Sequence, residues 1–365
     1  MNFGKALEIA TEYASSDAAR KAVETYGPRI QTVSTIRKIT DSETPYNLYA
    51  MDVEYPYDLD RLIGRGLGDD QGCIDAILAE ALPYLPVHMQ APQFGCSAFT
   101  LSSGADSLMG RNYDFKLDTS AMLVHCAPEG GYESIAFAAL DNLNANDALA
   151  NAKSRMACLA APFVCLDGVN EKGVSIAVLT LDSTPTRPAG SKPVLATPLA
   201  IRLVLDRAAT TQEAVDLMLG YDMFATSGRD YHFYITDATG DGRVVEYDCD
   251  SPERTPVVTP SRQVTNFFVM HQEKVAPNQK NGHYGHGRER FDAIEGVLDG
   301  APANEAAHET AWRALRAASQ KPNPEDITSN TQWSIVFDNK NLTADIALRR
   351  RWDDVHHVDI HGAVN

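Results

Sequence analysis

The sequence predicts an α+β protein: a four-layer αββα sandwich of two antiparallel sheets. Three observations lead there. From residue 96 onward the strand-like runs come as hairpins joined by short turns, which indicates antiparallel pairing rather than helical crossovers. Runs such as FVCLDGV and SIAVLTL are apolar at nearly every position, so both of their faces need covering. Helical stretches arrive in separate blocks between the strand groups, which suits two stacked sheets with helices on their outer sides.

The elements follow in order. Residues 1–95 offer a helix around residues 5–25, a strand-like NLYAMDVEY and a second helix from about Cys73 to Leu82. PYLPVHMQAPQFG comes next, and its three prolines predict an extended, exposed stretch. That stretch is the best boundary in the chain and divides it into segments 1–95 and 96–365. CSAFTLS and SLMGRNYDF then flank the turn SGAD, AMLVHCA and YESIAFAAL flank PEGG, and FVCLDGV and GVSIAVLTLD flank NEKG. LATPLAIRLVLDRAA and TTQEAVDLMLGY read as helices, the second opened by a capping box from Thr210 to Glu213. DYHFYITDATGDGRVVEYD is a further hairpin and RQVTNFFVM a further strand. RERFDAIEGVLDG and NEAAHETAWRALRAAS are helices, and TQWSIVFD with LTADIALRR closes the fold.

The chain has 365 residues, with 49 Asp+Glu against 32 Lys+Arg, a net charge of −17. An acidic balance argues against a nucleic-acid partner and against an anionic membrane surface. No run of 18 apolar residues occurs, so membrane insertion is not expected. The start, MNFGKALEIATEYASSDAARK, lacks the apolar core of a secretory signal. The expectation is a soluble, cytoplasmic protein. Its six cysteines form no CxxC pair, and most should be small buried hydrophobes.

Cys96 stands apart from the other five. It follows the proline-rich stretch and opens the first strand, and Arg111 and Asp114 sit at i and i+3 near the end of the partner strand. Folding back across SGAD would bring a thiol, a guanidinium and a carboxylate together. A guanidinium favours the thiolate and can lower a thiol pKa by roughly 1–3 units. No histidine stands near Cys96 in sequence to act as base. A cut between Gly95 and Cys96 would supply one, since the freed α-amine would have a pKa of about 7.7–8.0. Asp114 would then orient that amine.

GCSAFT, GRNYDF, DGVNEKGVSIAVLTLD, RLVLDRAATTQEAVDLM, HFYITDATGDGRVVEYD, VTNFF, RERFDAIEGVL and TQWSIVFD follow one another over some 270 residues. In that order they resemble the choloylglycine hydrolase family of linear amide hydrolases, N-terminal nucleophile enzymes. The family includes bile salt hydrolases, penicillin V acylases, isopenicillin N acyltransferases and N-acylethanolamine amidases. The resemblance implies that Cys96 is the nucleophile, with Arg111 and Asp114 as its partners. Asn266 would donate its side-chain amide to an oxyanion, Thr180 its backbone N–H, and Arg290 would be a further active-site arginine.

At the Thr180 position bile salt hydrolases tend to have Asn and penicillin V acylases Tyr, so neither substrate is favoured. The 95 residues ahead of Cys96 resemble the branches whose precursor cuts itself, which implies a prosegment and autocleavage between Gly95 and Cys96. The implied activity is hydrolysis of a small N-acyl amide through an acyl-thioester. An acyltransferase and a non-catalytic binding protein on the same fold are the alternatives. No cofactor or metal is implied, and a homo-oligomer is left open. His283 and His286 in GHYGHGRER have metal-like spacing, but no third ligand is evident and the loop reads instead as a lid. HHVDIH reads as a solvated cluster or an edge strand. His125 and Cys126, neighbours on a strand, point to opposite faces.

Overall fold

A computed structural model describes residues 17–41, 44–65, 68–83, 95–115, 118–280, 282–323 and 330–364. Two large sheets dominate it. The first has nine strands in the order Arg37–Lys38, Leu48–Val53, Ala121–Cys126, Ser134–Ala139, Cys165–Asn170, Ser175–Leu181, Asp230–Thr236, Arg243–Tyr247 and Pro256–Pro260. The second has six, in the order Gln263–Val264, Gly95–Ser103, Asp106–Asp114, Thr331–Asp338, Thr343–Leu348 and Val355–Asp359. Helices Thr197–Arg207 and Thr211–Leu219 pack on the first sheet, and helices Arg288–Asp299 and Ala307–Ala318 on the second. The apolar space between the sheets is closed by pairs such as Phe137 and Phe337, whose rings lie 6.1 Å apart. The expected four layers are present.

Local chemistry explains the elements. In the NEKG turn Asn170 Oδ1 accepts from the N–H groups of Lys172 and Val174, while its Nδ2 donates to the carbonyls of Leu205 and Ala208. That one side chain closes the hairpin and ties it to the end of a helix. Gly173 takes φ +77°, and a Cβ there would lie 2.1 Å from the Asn339 carbonyl oxygen. The Thr210 hydroxyl accepts from Glu213 N–H at 3.1 Å, as a capping box requires. The Glu213 carboxylate reaches back one residue further than expected, to Ala209 N–H at 2.8 Å.

Several expectations need correction. The first helix is described as Asp17–Thr35, running ten residues past the expected end; residues 5–16 lie outside the described residues. RQVTNFFVM is strand only at Gln263–Val264 and then leaves the sheet. The last hairpin does not close the fold: an edge strand, Val355–Asp359, follows it, which is one of the two readings of HHVDIH. The large sheet is also not wholly antiparallel: Leu48–Val53 runs parallel to Ala121–Cys126. Parallel neighbours need a long connection, and helices Leu59–Ile63 and Asp70–Ala81 occupy the chain between them. Leu48, Tyr49, Ala50 and Met51 are buried there in the main core. PYLPVHMQAPQFG lies outside the described residues, apart from Pro83 at its start and Gly95 at its end.

Candidate active site

The strand Gly95–Ser103 carries the Gly95–Cys96 junction, with Gly95 opposite Asp114 and Cys96 opposite Tyr113. Side chains alternate along a strand, so Arg111 and Asp114, three residues apart, leave on opposite faces. Arg111 enters the space between the sheets. Its Nε meets Asp167 Oδ2 at 3.2 Å, its Nη1 donates to the Asn112 carbonyl at 2.8 Å and its Nη2 to the Val178 carbonyl at 2.9 Å. The guanidinium also faces the Cys96 thiol, whose ionised form it favours. Asp114 approaches the same thiol through its backbone N–H. Its carboxylate instead accepts from Thr331 Oγ1 at 2.6 Å and Gln320 Nε2 at 2.9 Å, and lies 3.6 Å from Arg290 Nη1.

Arg290 and Asn266 clamp the Cys96 backbone. Arg290 Nη1 donates to the Cys96 carbonyl at 2.7 Å, and its Nη2 to Asn266 Oδ1 at 2.7 Å. Cys96 N–H donates to the same Asn266 Oδ1 at 2.9 Å, and Asn266 Nδ2 donates to the Thr180 carbonyl at 2.9 Å. This amide orientation is fixed by its neighbours. Cys96 N–H and Arg290 can only donate and the Thr180 carbonyl can only accept, so a flipped amide would oppose all three. Arg290 stands in the first turn of its helix, after Gly287 at φ +90°, where a Cβ would lie 2.4 Å from Arg290 Nη2. Asn266 is held through its own carbonyl, which accepts from His286 N–H at 2.9 Å.

Cys96, Asp114, Thr180, Asn266 and Arg290 therefore lie in one connected network, and Arg111 faces the Cys96 thiol from beside it. In the uncut chain the acceptor on Cys96 N–H is Asn266 Oδ1, and Thr180 contributes its carbonyl to Asn266.

Electrostatics reverse one expectation. The Cys96 thiol is pushed up to about 12 by burial, although the Arg111 guanidinium pulls the other way. In the uncut chain desolvation outweighs the cation. Burial also raises Asp114, against the pull of Arg290.

Sequence reasoning missed Asp167, Thr331 and Gln320. Asp167 is fully buried, bonded to Arg111 and, at 3.3 Å, to Trp333 Nε1, and burial raises its pKa to about 6. A lone carboxylate in the apolar strand FVCLDGV was a signal for it. Nothing in the sequence marks Thr331 or Gln320. His283 and His286 part company: His283 faces Asp250 at 3.0 Å and His286 faces Asp182 at 3.3 Å. Their loop is pinned to the Asn266 segment by the Phe267–Gly285 bridge.

Residues 96–252 match the family model of linear amide C-N hydrolases, choloylglycine hydrolase family. Among solved structures the chain is similar to penicillin V acylase from Agrobacterium tumefaciens, at 20% identity and a TM-score of 0.52, over 74% of this chain and 90% of that one. It is also similar to a cysteine-to-alanine mutant of conjugated bile acid hydrolase from Clostridium perfringens, at 13% identity and a TM-score of 0.53, over 74% and 95%. An arginine-to-leucine variant of that hydrolase aligns at 14% identity and a TM-score of 0.51, over 74% and 96%. No curated protein matches the chain. Among the described residues no helix is long and apolar enough to cross a membrane.

Proposed function

We propose that this chain is a hydrolase of linear amides, of the choloylglycine hydrolase type, and that it works through Cys96 after cutting itself between Gly95 and Cys96. The observation that supports the reading is the grip on Cys96: its N–H and carbonyl are bonded by Asn266 and Arg290, and its thiol faces the Arg111 guanidinium.

In the first step Cys96 Sγ attacks the Gly95 carbonyl carbon. The Gly95–Cys96 C–N bond breaks, the departing nitrogen takes up the thiol proton, and a Gly95 thioester remains on Sγ. Water hydrolyses that thioester, leaving the Gly95 carboxylate, a free Cys96 thiol and a free α-amine. The amine is then the base. It takes the proton from its own thiol as Sγ attacks the amide carbonyl of an N-acyl substrate, and returns it to the leaving amine. Water, deprotonated by the same amine, releases the acid from the thioester. Asn266 Oδ1, which holds the Cys96 N–H in the uncut chain, would orient the amine, and Arg290 would keep the Cys96 carbonyl in place. Arg111 would stabilise the thiolate once the cut admits solvent.

Intact-mass measurement of purified protein tests this reading. Fragments 1–95 and 96–365 are expected from the wild type, with Cys96→Ala remaining one chain of 39.8 kDa. A wild type that stays whole and hydrolyses no member of a panel of N-acyl amides would overturn it.

A further inference from the structure

Beyond Gln263–Val264 the chain leaves the second sheet, so the backbone groups of residues 265–270 need partners other than a strand ladder. Two buried side chains of the first sheet supply them. His232 and Glu246 stand on the neighbouring strands Asp230–Thr236 and Arg243–Tyr247, and neither is exposed. His232 Nε2 lies 2.9 Å from the Thr265 carbonyl oxygen. That oxygen can only accept, so Nε2 carries a proton and donates. Glu246 Oε2 accepts from Val269 N–H at 2.9 Å, and Oε1 from Met270 N–H at 2.7 Å. His232 Nδ1 faces Oε2 of that carboxylate at 3.5 Å, so the two grips adjoin.

Asn266 lies between these grips. Its Oδ1 accepts from Cys96 N–H at 2.9 Å, and its Nδ2 donates to the Thr180 carbonyl at 2.9 Å. The strand that carries His232 also carries Tyr231, directly opposite Thr180. The first sheet thus fixes both ends of the bond between Asn266 and Thr180. Two other bonds, from Thr265 Oγ1 to the Gly287 carbonyl and from His286 N–H to the Asn266 carbonyl, tie the segment to residues 286–287 instead. Neither His232 nor Glu246 takes part in the chemistry proposed above, and burying two such groups is costly unless they are bonded.

We propose that His232 and Glu246 are positioning residues: they hold residues 265–270 where Asn266 can reach the Cys96 nitrogen. The inference rests on the reading of Cys96 as the nucleophile. In that reading the nitrogen departs in the cut and is the base afterwards, so the placement of Asn266 bears on both steps. A displacement of about 1 Å at a reacting group can cost roughly 10²-fold in rate. His232→Leu keeps most of the bulk and loses the donor. His232→Gln keeps an N–H donor for the Thr265 carbonyl.

Two readouts test this. The first, in the uncut Cys96→Ala chain, is hydrogen exchange at the N–H of residue 96, whose acceptor is Asn266 Oδ1. His232→Leu should speed that exchange about tenfold or more and His232→Gln less than about threefold, with the strand Thr331–Asp338 unchanged in both. The second readout is activity. His232→Leu should slow autocleavage about tenfold or more, and the cut variant should lose kcat with KM held within about twofold. His232→Gln should bring both back to within about threefold of wild type. Unchanged exchange at residue 96 in His232→Leu, an unchanged cutting rate, or equal losses in His232→Leu and His232→Gln would overturn the proposal. A wild type that neither cuts nor hydrolyses sinks the hydrolase reading, and the exchange readout, which needs no activity, tells that failure apart from this one. Should His232→Leu fail to fold, Glu246→Gln, which sets an amide N–H against that of Val269 or Met270, takes its place with the same expected losses.

Discussion

If the chain cuts itself at Gly95–Cys96, fragment 1–95 should remain bound. Its strand Leu48–Val53 is an internal member of the nine-stranded sheet, paired on one side with Ala121–Cys126 and on the other with Arg37–Lys38. Leu48, Tyr49, Met51, Leu59, Leu62, Ile63 and Ile77 of this fragment are buried in the same core as residues after Cys96. At about 1.5–3 kcal/mol for each large apolar side chain, those seven supply a gross ~10–20 kcal/mol. Association costs about 4–15 kcal/mol, and the strand ladder adds to the favourable side. So do Tyr55 OH to the Leu159 carbonyl at 2.6 Å and Arg207 Nη1 to Asp60 at 2.8 Å.

The perturbation is Leu62→Ala, at a fully buried position, which should cost about 2–5 kcal/mol. The assay is gel filtration of the cut protein, followed by denaturant-driven dissociation. Both fragments should co-elute in native buffer for wild type and variant. The variant's dissociation midpoint should fall by an amount equivalent to that cost. Elution of 96–365 alone from the wild type at micromolar concentration, still folded and active, would refute the reasoning.

Other predictions concern the site and the scaffold. Arg290→Met removes two charge-assisted hydrogen bonds, worth about 1.5–3 kcal/mol each. It should slow autocleavage by at least about 10²-fold in a gel-based time course. Gly173→Ala puts a methyl into the Asn339 carbonyl at a positive φ. It should destabilise the chain by about 2 kcal/mol or more in denaturant unfolding. Asp167, raised by burial to about 6, binds its proton more tightly when folded than when unfolded. Its contribution to stability is therefore full below pH ~4 and is lost as pH rises through ~6, a change of about 3 kcal/mol. Unfolding of Asp167→Asn measured between pH ~4 and ~7 should show a correspondingly flatter slope.

The turns and periodicities of the chain determined most of the architecture by themselves. NEKG needs a left-handed residue and has Gly173; the Thr210 cap opens a helix; strands apolar on both faces demand two covering layers. They also placed Cys96 near Arg111 and Asp114, but that spacing alone did not decide its role; the ordered resemblance from GCSAFT to TQWSIVFD singled it out. Sequence periodicity is a local signal, and it could not say what lies across a layer. Only tertiary structure placed Asp167 against Arg111, set Asn266 and Arg290 on the Cys96 backbone from 170 and 194 residues away, and turned the Asp114 carboxylate away from the Cys96 N–H. Only tertiary structure put Leu48–Val53 inside the large sheet, since parallel pairing with a distant strand leaves no local mark. It also decided the thiol's state, because burial, which outweighs the guanidinium here, is a property of everything packed around the residue.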